Sequence, residues 1–317
     1  MSSNPSSTSG GVIIPADPFA GMAWDNTVGA LLIGGLVGGV LFGLTCMQSY
    51  MYFSKYKDDR LLLRFFVAVL WLLDAVDFAF NSHTLYFFLV TNYTNPMALS
   101  GKVPWSLSSH VLITTVVDFM IRAMFARKIF QLSNHNYLLT GSLLATSTLD
   151  LVVGIIITVR AFAISSIQNL EPLHNLFYVD FAAGTGSDLY VAVVLCYYLA
   201  RSRTGFNTRT DSIVNILMLY TINTGLLTAI DAALGLITAL VMPHNFVFVA
   251  FYLQLSKLYT NAYLATLNNR ESLRERSTEP SGFVSVHLSR IGGRTGSNPN
   301  PTPLDAKVRQ CLIHSLV

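Results

Sequence analysis

Eight ionisable side chains lie in the middle of long apolar runs, where their chemistry would take place away from bulk water. They are Asp74, Asp77, Asp118, Arg122, Asp150, Asp188, Asp231 and Lys257. A charge at the centre of a bilayer costs at least about 2.5 kcal/mol if it faces lipid, so these side chains should face one another. Intramembrane acids and bases relay protons, pair with each other or line polar ligand pockets. With six acids and two cations, several carboxyl groups should be neutral, because desolvation disfavours the charged form.

The spacing of these groups predicts how the two cations are paired. Asp118 and Arg122 are four residues apart, so we expect them to meet within one helical turn. Lys257 needs a partner from another helix. The candidates for that partner are Asp74, Asp77 and Asp188.

Two interpretations of the buried aspartates are open. In the first, they hydrogen-bond to Ser, Thr and Asn side chains of neighbouring helices and hold the register of a helix bundle. Such bonds contribute only about 0.6 kcal/mol each, which is little for groups so costly to bury. The second interpretation, a hydrated polar pocket, therefore explains them better. Its predicted lining is Asp74, Asp77, Asp118, Arg122, Asp188, Asp231 and Lys257.

Seven apolar runs supply the helices that would position these groups. Each run can provide the roughly 20 helical residues that cross a bilayer core of about 30 Å. The chain is 52% hydrophobic and 12% charged, whereas soluble domains average about 25% charged residues. We therefore predict an all-α, polytopic membrane protein with a seven-helix bundle over residues 28–270. The predicted spans are residues 28–53, 63–90, 108–130, 137–159, 175–200, 212–241 and 246–267.

The two ends of the chain differ in composition from the apolar runs. Residues 1–27 and 271–317 are rich in Ser, Thr, Gly, Pro and Asn, which predicts a disordered arm and a disordered tail. No Lys or Arg precedes Lys55, so the basic region of a cleavable signal peptide is missing. We expect the first apolar run to remain in the membrane as an anchor.

Glycines in the first run form overlapping GxxxG spacings, which allow a second helix to approach closely. That second helix belongs either to the same bundle, which we expect, or to another copy of the chain. The glycines are Gly34, Gly35, Gly38, Gly39 and Gly43.

Basic residues in the loops predict the orientation. If the seven runs alternate, twelve basic residues lie on one side and only Lys102 and Arg160 on the other. Because cytoplasmic loops are enriched in Lys and Arg, the N-terminus should be outside and the C-terminus in the cytoplasm. The sequon at Asn92 then falls on the outer side, and we expect the plasma membrane rather than an internal one. The twelve are Lys55, Lys57, Arg60, Arg64, Arg127, Lys128, Arg201, Arg203, Arg209, Arg270, Arg274 and Arg276.

Several kinds of chemistry have no motif in this sequence. It contains no P-loop, no G-x-S-x-G, no H-E-x-x-H and no cysteine pair at metal-binding spacing. Ser106 and His110 match part of the zinc motif of seven-span lipid hydrolases, but the last run lacks the H-x-x-x-H that completes it. We therefore expect no enzyme activity, cofactor or metal. The net charge of +3 lies in loops and tail, without the continuous basic face that binds nucleic acid.

Two other classes of seven-helix protein fit poorly. Retinal proteins carry a Schiff-base lysine in the seventh helix, where Lys257 stands, and Asp118 would be the counter-ion. However, Leu253 occupies the position at which microbial opsins carry an aspartate. Hormone-type G-protein-coupled receptors share the topology, but their Asp-Arg-Tyr and Asn-Pro-x-x-Tyr motifs and their outer cysteine pair are missing, so only an analogy of fold is left.

Several segments, polar positions included, resemble a large group of fungal membrane proteins, mostly from basidiomycetes, over residues 28–274. The segments near residues 180–270 resemble that group's domain of unknown function. The resemblance implies a seven-span integral membrane protein without an assigned activity, and it offers no ligand-binding residue to carry over. The segments include Tyr86-Phe-Phe-Leu-Val-Thr-Asn92, Phe125-Ala-Arg-Lys-Ile129, Arg201-Ser-Arg-Thr-Gly-Phe206, Leu219-Tyr-Thr-Ile-Asn-Thr-Gly-Leu226 and Leu255-Ser-Lys-Leu-Tyr259.

Three functions are compatible with a bundle embedded in the lipid bilayer. We expect a receptor-like sensor of a small or lipidic ligand, because the outer loops are short. Its cytoplasmic signalling partner would bind the tail, where phosphorylation of Ser and Thr would change the charge beside Arg residues. The excess of intramembrane aspartates suggests instead a proton-coupled transporter or channel, although no inverted repeat is evident. The third hypothesis is a membrane-organising protein without a ligand.

The predicted orientation can be tested with a small tag at each end of the chain in intact cells. We expect a tag before Val28 to react with a membrane-impermeant label, because that end should be outside. A tag after Arg276 should react only once the cells are permeabilised. A tag in the loop at Lys57 is the matched control and should behave like the second one. Labelling of both ends from one compartment would contradict an odd number of spans.

Overall fold

A computed structural model of the chain describes residues 28–92, 101, 103–163, 171–201, 226–242 and 247–269. The described elements are helices, which confirms the all-α prediction. The predicted arm and tail, and the first part of the sixth predicted span, lie outside the described residues. The helices are α1 (Ala30–Lys55), α2 (Leu61–Tyr86), α3 (Trp105–Leu132), α4 (Tyr137–Ala163), α5 (Glu171–Arg201), α6 (described over Leu226–Val241) and α7 (Val247–Asn268). A five-residue π-helix, Phe87–Thr91, continues α2.

The outer faces of the helices are apolar. By length and composition, α1, α3, α4 and the Asn175–Arg201 part of α5 can each cross a membrane. Large apolar side chains point away from the bundle, including Val40 (67% exposed) on α1 and Val193 (66% exposed) on α5. Rows of exposed apolar side chains are unfavourable in water but favourable in contact with lipid tails. The chain is therefore a membrane protein, as its composition predicts.

The turn between α3 and α4 shows how local sequence ends one helix and begins the next. Asn134 and His135 follow α3 with positive φ angles of 55° and 65°. This left-handed conformation stops a helix, and asparagine and histidine adopt it more readily than most residues. Asn136 Oδ1 then accepts hydrogen bonds from the backbone N–H groups of residues 138 and 139, at 3.2 and 3.3 Å. These bonds cap the start of α4, so α3 and α4 become antiparallel neighbours.

Helices α3 and α7 lie at the centre of the described bundle. α7 packs against α1, α2 and α3, and α3 packs in addition against α4 and α5. The fully buried Tyr263 of α7 makes edge contacts with Phe66 of α2 and Phe125 of α3, with ring centroids 5.6 and 6.1 Å apart. Aromatic rings in this geometry attract each other beyond their burial, which stabilises the junction of the three helices.

Asparagine side chains of α7 bind the backbone of α1. Asn261 Nδ2 donates a hydrogen bond to the carbonyl oxygen of Leu41 at 2.9 Å. Asn268 Nδ2 donates one to the carbonyl oxygen of Gln48 at 2.8 Å. The second pair lies seven residues beyond the first on both helices, so α1 and α7 run parallel. Polar side chains in an apolar bundle need such partners, and here they also set the register between the two helices.

The glycines of α1 pack inside the bundle, as predicted. A methyl group added at Gly34 would lie 2.9 Å from Ala250 of α7, and one added at Gly35 would lie 2.1 Å from Leu85 of α2. Both separations are shorter than real carbon contacts. At Gly34 the neighbour is backbone, so only glycine allows α1 and α7 to come so close, whereas at Gly35 the flexible side chain of Leu85 could move aside. Gly43, by contrast, has no neighbour within 4 Å of such a methyl group and does not contribute to the contact.

Replacing Gly34 with alanine tests the close approach of α1 and α7. The added methyl group meets the backbone of Ala250, which cannot move without the whole helix. We expect the free energy of unfolding to fall by about 1–3 kcal/mol, the usual cost of overpacking a well-packed contact. Thermal unfolding of the purified protein in detergent measures the change. Gly43→Ala adds the same methyl group in open space and is the matched control; equal melting temperatures for both variants would contradict the proposed contact.

Candidate functional site

The structure divides the predicted pocket residues between two ionic clusters. The Lys257 cluster consists of Asp74, Asp77, His110 and Lys257. The Arg122 cluster consists of Asp118, Arg122, Asp150, Asp180 and Asp188. Asp231, in α6, belongs to neither cluster. The single pocket predicted from the sequence is therefore replaced by two separate groups of charges.

Two carboxylates of α2 bind the buried ammonium group of α7. Lys257 Nζ donates hydrogen bonds to Asp74 Oδ1 at 3.1 Å and to Asp77 Oδ2 at 2.8 Å, and none of the three side chains is exposed. Asp74 and Asp77 are three residues apart, so they lie on one face of α2 and reach the same ammonium group. Two of the three predicted partners of Lys257 are thus confirmed. The third, Asp188, lies in the other cluster.

Asp77 is also contacted by α3 and by its own helix. Its Oδ1 lies 2.5 Å from Nδ1 of the fully buried His110, and Asn81 Nδ2 donates to its Oδ2 at 3.1 Å. Asp77 therefore binds Lys257, His110 and Asn81 at once. In the sequence, His110 is notable only as part of an incomplete zinc-binding motif. In the structure it pairs with a carboxylate.

Aromatic rings and a glycine enclose the side chain of Lys257. Phe42 and Phe78 stack with their centroids 4.7 Å apart, and Lys257 Nζ lies 6.0 Å from each ring centroid. A methyl group at Gly38 would lie 3.6 Å from Lys257 Cε, so the bare backbone of α1 faces the lysine stem. Cation–π attraction adds to the two ion pairs. A charge so fully paired and enclosed is typical of a structural contact between helices.

Arg122 of α3 binds acids from two other helices. Its Nη1 donates to Asp150 Oδ2 of α4, and its Nε donates to Asp188 Oδ1 of α5 at 3.1 Å. Its Nη2 donates to the hydroxyl group of Tyr259 of α7 at 3.4 Å, and the guanidinium carbon lies 5.7 Å from the centroid of that ring. One side chain, 2% exposed, therefore joins four helices.

The predicted pairing of Arg122 with Asp118 is wrong. Asp118 is 4% exposed, and its Oδ1 has no hydrogen-bond partner among the described residues. The planar guanidinium presents five N–H donors. Two carboxylates approaching from different helices satisfy these donors better than one carboxylate in the same helical turn. Two residues four apart on a helix are close enough to pair, but this spacing says nothing about acids on other helices that compete for Arg122.

A small, partly open cavity lies beside the Arg122 cluster. Much of this space is narrow, and its widest part holds about one or two water molecules. The five ionisable residues of the cluster line it, as do hydroxyl groups from α3, α5 and α7. The hydroxyl-bearing residues are Thr115, Thr185, Tyr252 and Tyr259.

Four ionisable residues of the lining are missing from the pocket predicted from the sequence: Asp150, Asp180, Tyr252 and Tyr259. Asp180 lies near the N-terminal end of the fifth predicted span, whereas the predicted pocket contains only residues near the middle of their spans. Its spacing to Gly184 and Asp188 is four residues each time, which places all three on one face of α5. That spacing is a signal that could have identified Asp180. The tyrosines offer no such signal, because aromatic residues are frequent throughout the chain.

Two other predicted residues lie apart from the clusters. Asp231 is 8% exposed, and its Oδ2 has no partner among the described residues. Asn92 Nδ2 donates to the carbonyl oxygen of Phe87 at 3.0 Å, so the nitrogen that a glycan would modify takes part in closing the π-helix. The rest of the sequon, Tyr93 and Thr94, lies outside the described residues.

The arrangement differs from that of a retinal protein. Asp118, the counter-ion that such a site would need, lies in the Arg122 cluster, while Asp74 and Asp77 bind Lys257. Across the part of the chain that the structure describes, no three or more His, Cys, Asp or Glu side chains are grouped as ligands of one metal ion.

Residues 184–272 match a family model described as a family of unknown function, DUF6534. The chain therefore carries a DUF6534 domain, where the sequence resemblance implied a domain of unknown function. No curated protein matches the chain. Within the described residues, the matched region covers the second half of α5 together with α6 and α7, and so includes Asp188 and Lys257.

Substitutions in the Lys257 cluster should unfold the bundle more readily. Lys257→Leu leaves Asp74 and Asp77 without their cation, and Asp77→Ala removes a partner from both Lys257 and His110. We expect each variant to lose about 3–5 kcal/mol of stability, because a buried charge without its partner is strongly unfavourable. Expression level and the melting temperature in detergent measure the loss.

The matched controls are Lys57→Leu and Asp58→Ala, which make the same changes in the exposed turn between α1 and α2. They should stay within about 0.5 kcal/mol of the unmodified protein. Buried variants that express and melt like these controls would show that the Lys257 cluster does not hold the bundle together.

Proposed function

Because residues 184–272 match a domain without an assigned function, we propose a function from the buried charges themselves. The protein is a receptor-like, seven-helix membrane sensor, and the cavity of the Arg122 cluster is its ligand site. The single observation that carries this proposal is the set of ion pairs of Arg122, which tie α3 to α4 and α5 beside that cavity. A ligand that changes these ion pairs changes the packing of three helices at once.

Arg122 has a second partner within reach. In the described arrangement it binds Asp150 and Asp188, while Asp118 stands one turn away on the same helix with an unpaired oxygen. Residues four apart on a helix are close enough to pair. Two arrangements of one arginine, one between helices and one within α3, provide the two states that a sensor requires. A ligand shifts their populations only if it prefers one of the two.

The size of the cavity favours a small polar ligand over a lipidic one. Its widest part takes about one or two water molecules, and its lining is acidic and hydroxylated. An acyl chain would find neither the room nor the apolar surface that it needs. A lipidic ligand therefore has less support in this geometry than a small hydrophilic one.

We further propose that the bundle spans the plasma membrane seven times, with its N-terminus outside and its tail in the cytoplasm. The parallel course of α1 and α7 supports this arrangement, because helices that alternate in direction return to the first direction at the seventh. In this orientation the Arg122 cluster lies between the outer loops and a cytoplasmic signalling partner bound to the tail. Movement of α5 would carry the signal to the cytoplasmic end.

Proton-coupled transport is the second candidate. Transport is favoured by the excess of carboxyl groups over cations, since four carboxyl groups and one guanidinium group line the cavity. Intramembrane acids of this kind carry protons in pumps and transporters. The two candidates differ in what crosses the membrane: a transporter moves protons in bulk, and a sensor does not.

The sensor proposal predicts that Arg122→Gln changes the distance between α1 and α5. Spin labels are attached to Cys46 and Cys196, two free cysteines in these helices. Cys311→Ser removes the third cysteine, and pulsed electron paramagnetic resonance in nanodiscs measures the distance between the two labels. Because the interhelical ion pairs are lost, we expect the distance distribution to shift by about 2 Å or more, the scale of helix shifts in switching proteins. Arg64→Gln, at the start of α2, is the matched control and should leave the distance unchanged.

Proton flux in reconstituted vesicles separates the two candidates. Under an imposed pH gradient, vesicles containing the protein should leak no faster than empty vesicles if it is a sensor. A fast flux that Asp188→Asn abolishes would favour the transporter instead. An unchanged Cys46–Cys196 distance in Arg122→Gln would contradict the sensor mechanism whatever the flux.

A further inference from the structure

We infer that the cavity of the Arg122 cluster binds a small monovalent cation, the size of ammonium or an alkali-metal ion, at the carboxylate of Asp118. The role of such an ion rests on the proposed sensor function, but its binding can be measured independently of that function. The inference depends on three features of the cavity: its charge, the unpaired oxygen of Asp118 and its size.

The charge of the cavity calls for a cation. Four carboxyl groups from three helices surround it, and the only cationic residue in its lining is Arg122. Its guanidinium group is already bound to Asp150, Asp188 and Tyr259, so it offers little to an incoming anion. Two of these carboxylates, Asp150 and Asp188, already outnumber the one guanidinium group that they bind, so the cluster has an excess of negative charge. Negative charge inside an apolar bundle attracts a cation that is small enough to enter.

Asp118 provides a specific point of attachment. Asp118 lines the cavity, and its Oδ1 is fully buried without a hydrogen-bond partner among the described residues. A buried carboxylate oxygen without a partner costs free energy, and a cation beside it removes that cost. Hydroxyl groups of Thr115, Thr185 and Tyr252 line the same cavity and are oxygen ligands of the kind that hard cations prefer.

The size of the cavity selects a small ion. Room for about one or two water molecules admits an alkali-metal ion or ammonium with little of its hydration shell. It excludes bulky organic cations such as N-methylglucamine. Carboxylate and hydroxyl oxygens then replace the water that the ion leaves behind.

A cation at Asp118 would select one of the two arrangements of Arg122. With its charge neutralised by the ion, Asp118 no longer attracts the guanidinium group, which then stays on Asp150 and Asp188. Without the ion, Asp118 competes for Arg122. The ion would thus favour the described packing of α3, α4 and α5, and its loss would favour the other state.

Thermal unfolding in different chloride salts tests the inference. The purified protein in detergent is melted at one pH and constant ionic strength in sodium, potassium, ammonium or N-methylglucamine chloride, with tryptophan fluorescence as the readout. We expect at least one small cation at 100 mM to raise the melting temperature by about 3 °C over N-methylglucamine, as an ion at roughly ten times its dissociation constant would. The small cations are compared with one another to identify which ion the site prefers.

Asp118→Asn should remove this difference, because the amide keeps the size of the side chain and loses its charge. Asp58→Asn, in the exposed turn after α1, should keep it. If Asp118→Asn does not fold, calorimetric titration of the unmodified protein with the small cation and with N-methylglucamine gives the answer directly. Equal melting temperatures in all four salts would overturn the inference.

The same preparation separates this inference from the proposed function. A cation-dependent melting temperature with a cation-independent Cys46–Cys196 distance would establish the ion site and contradict the sensor. A distance that changes in Arg122→Gln without any cation dependence would support the sensor and contradict the ion site.

Discussion

A buried charge that must be paired inside lipid is the constraint on which this bundle depends. Lys257 stands near the middle of α7, and its ammonium group cannot reach water from a fully buried position. The carboxylates of Asp74 and Asp77 therefore hold α2 beside α7. The stacked rings of Phe42 and Phe78 and the bare backbone at Gly38 fit around the same side chain. Lys257 thus contacts both α1 and α2 and helps to hold them beside α7.

The two ionic clusters differ in the ratio of carboxyl groups to cations, and this difference is why the Arg122 cluster is the one proposed as a ligand site. In the Lys257 cluster, the carboxylates of Asp74 and Asp77 contact Lys257 and His110, and two aromatic rings lie beside the lysine. In the Arg122 cluster, four carboxyl groups face one guanidinium group, and a cavity lies beside them. In the Lys257 cluster, the ammonium group and both carboxylates have partners within the bundle. An unbalanced cluster with open space needs something from outside the chain, whether a proton or an ion.

The sequence predicts the helices well because the period and length of an apolar run are local properties. All seven predicted runs contain a described helix, and the partners of Lys257 are among the three residues named from spacing and charge alone. The glycine contacts of α1 were predictable for the same reason, since a GxxxG spacing implies a neighbour whatever its identity.

The partners of Arg122 could not be predicted in this way. The nearest acid in sequence, Asp118, is not its partner, because Asp150 and Asp188 approach from other helices and satisfy more donors of the guanidinium group. The packing of all seven helices determines which of them are neighbours, and the spacing of residues within one helix does not reveal it. His110 and Tyr259 were missed for the same reason: each acquires its role only when α3 and α7 pack together.

The DUF6534 match covers only part of each cluster. Among the described residues, the matched region supplies Asp188 and Tyr259 to the Arg122 cluster and Lys257 to the other. The residues that complete the charges come from helices before the match: Asp74, Asp77, His110, Arg122 and Asp150. A buried Lys257 or Asp188 without these partners would be costly in lipid. The physical unit that carries the candidate function is therefore the bundle from α2 to α7, and the matched region contributes one side of each cluster.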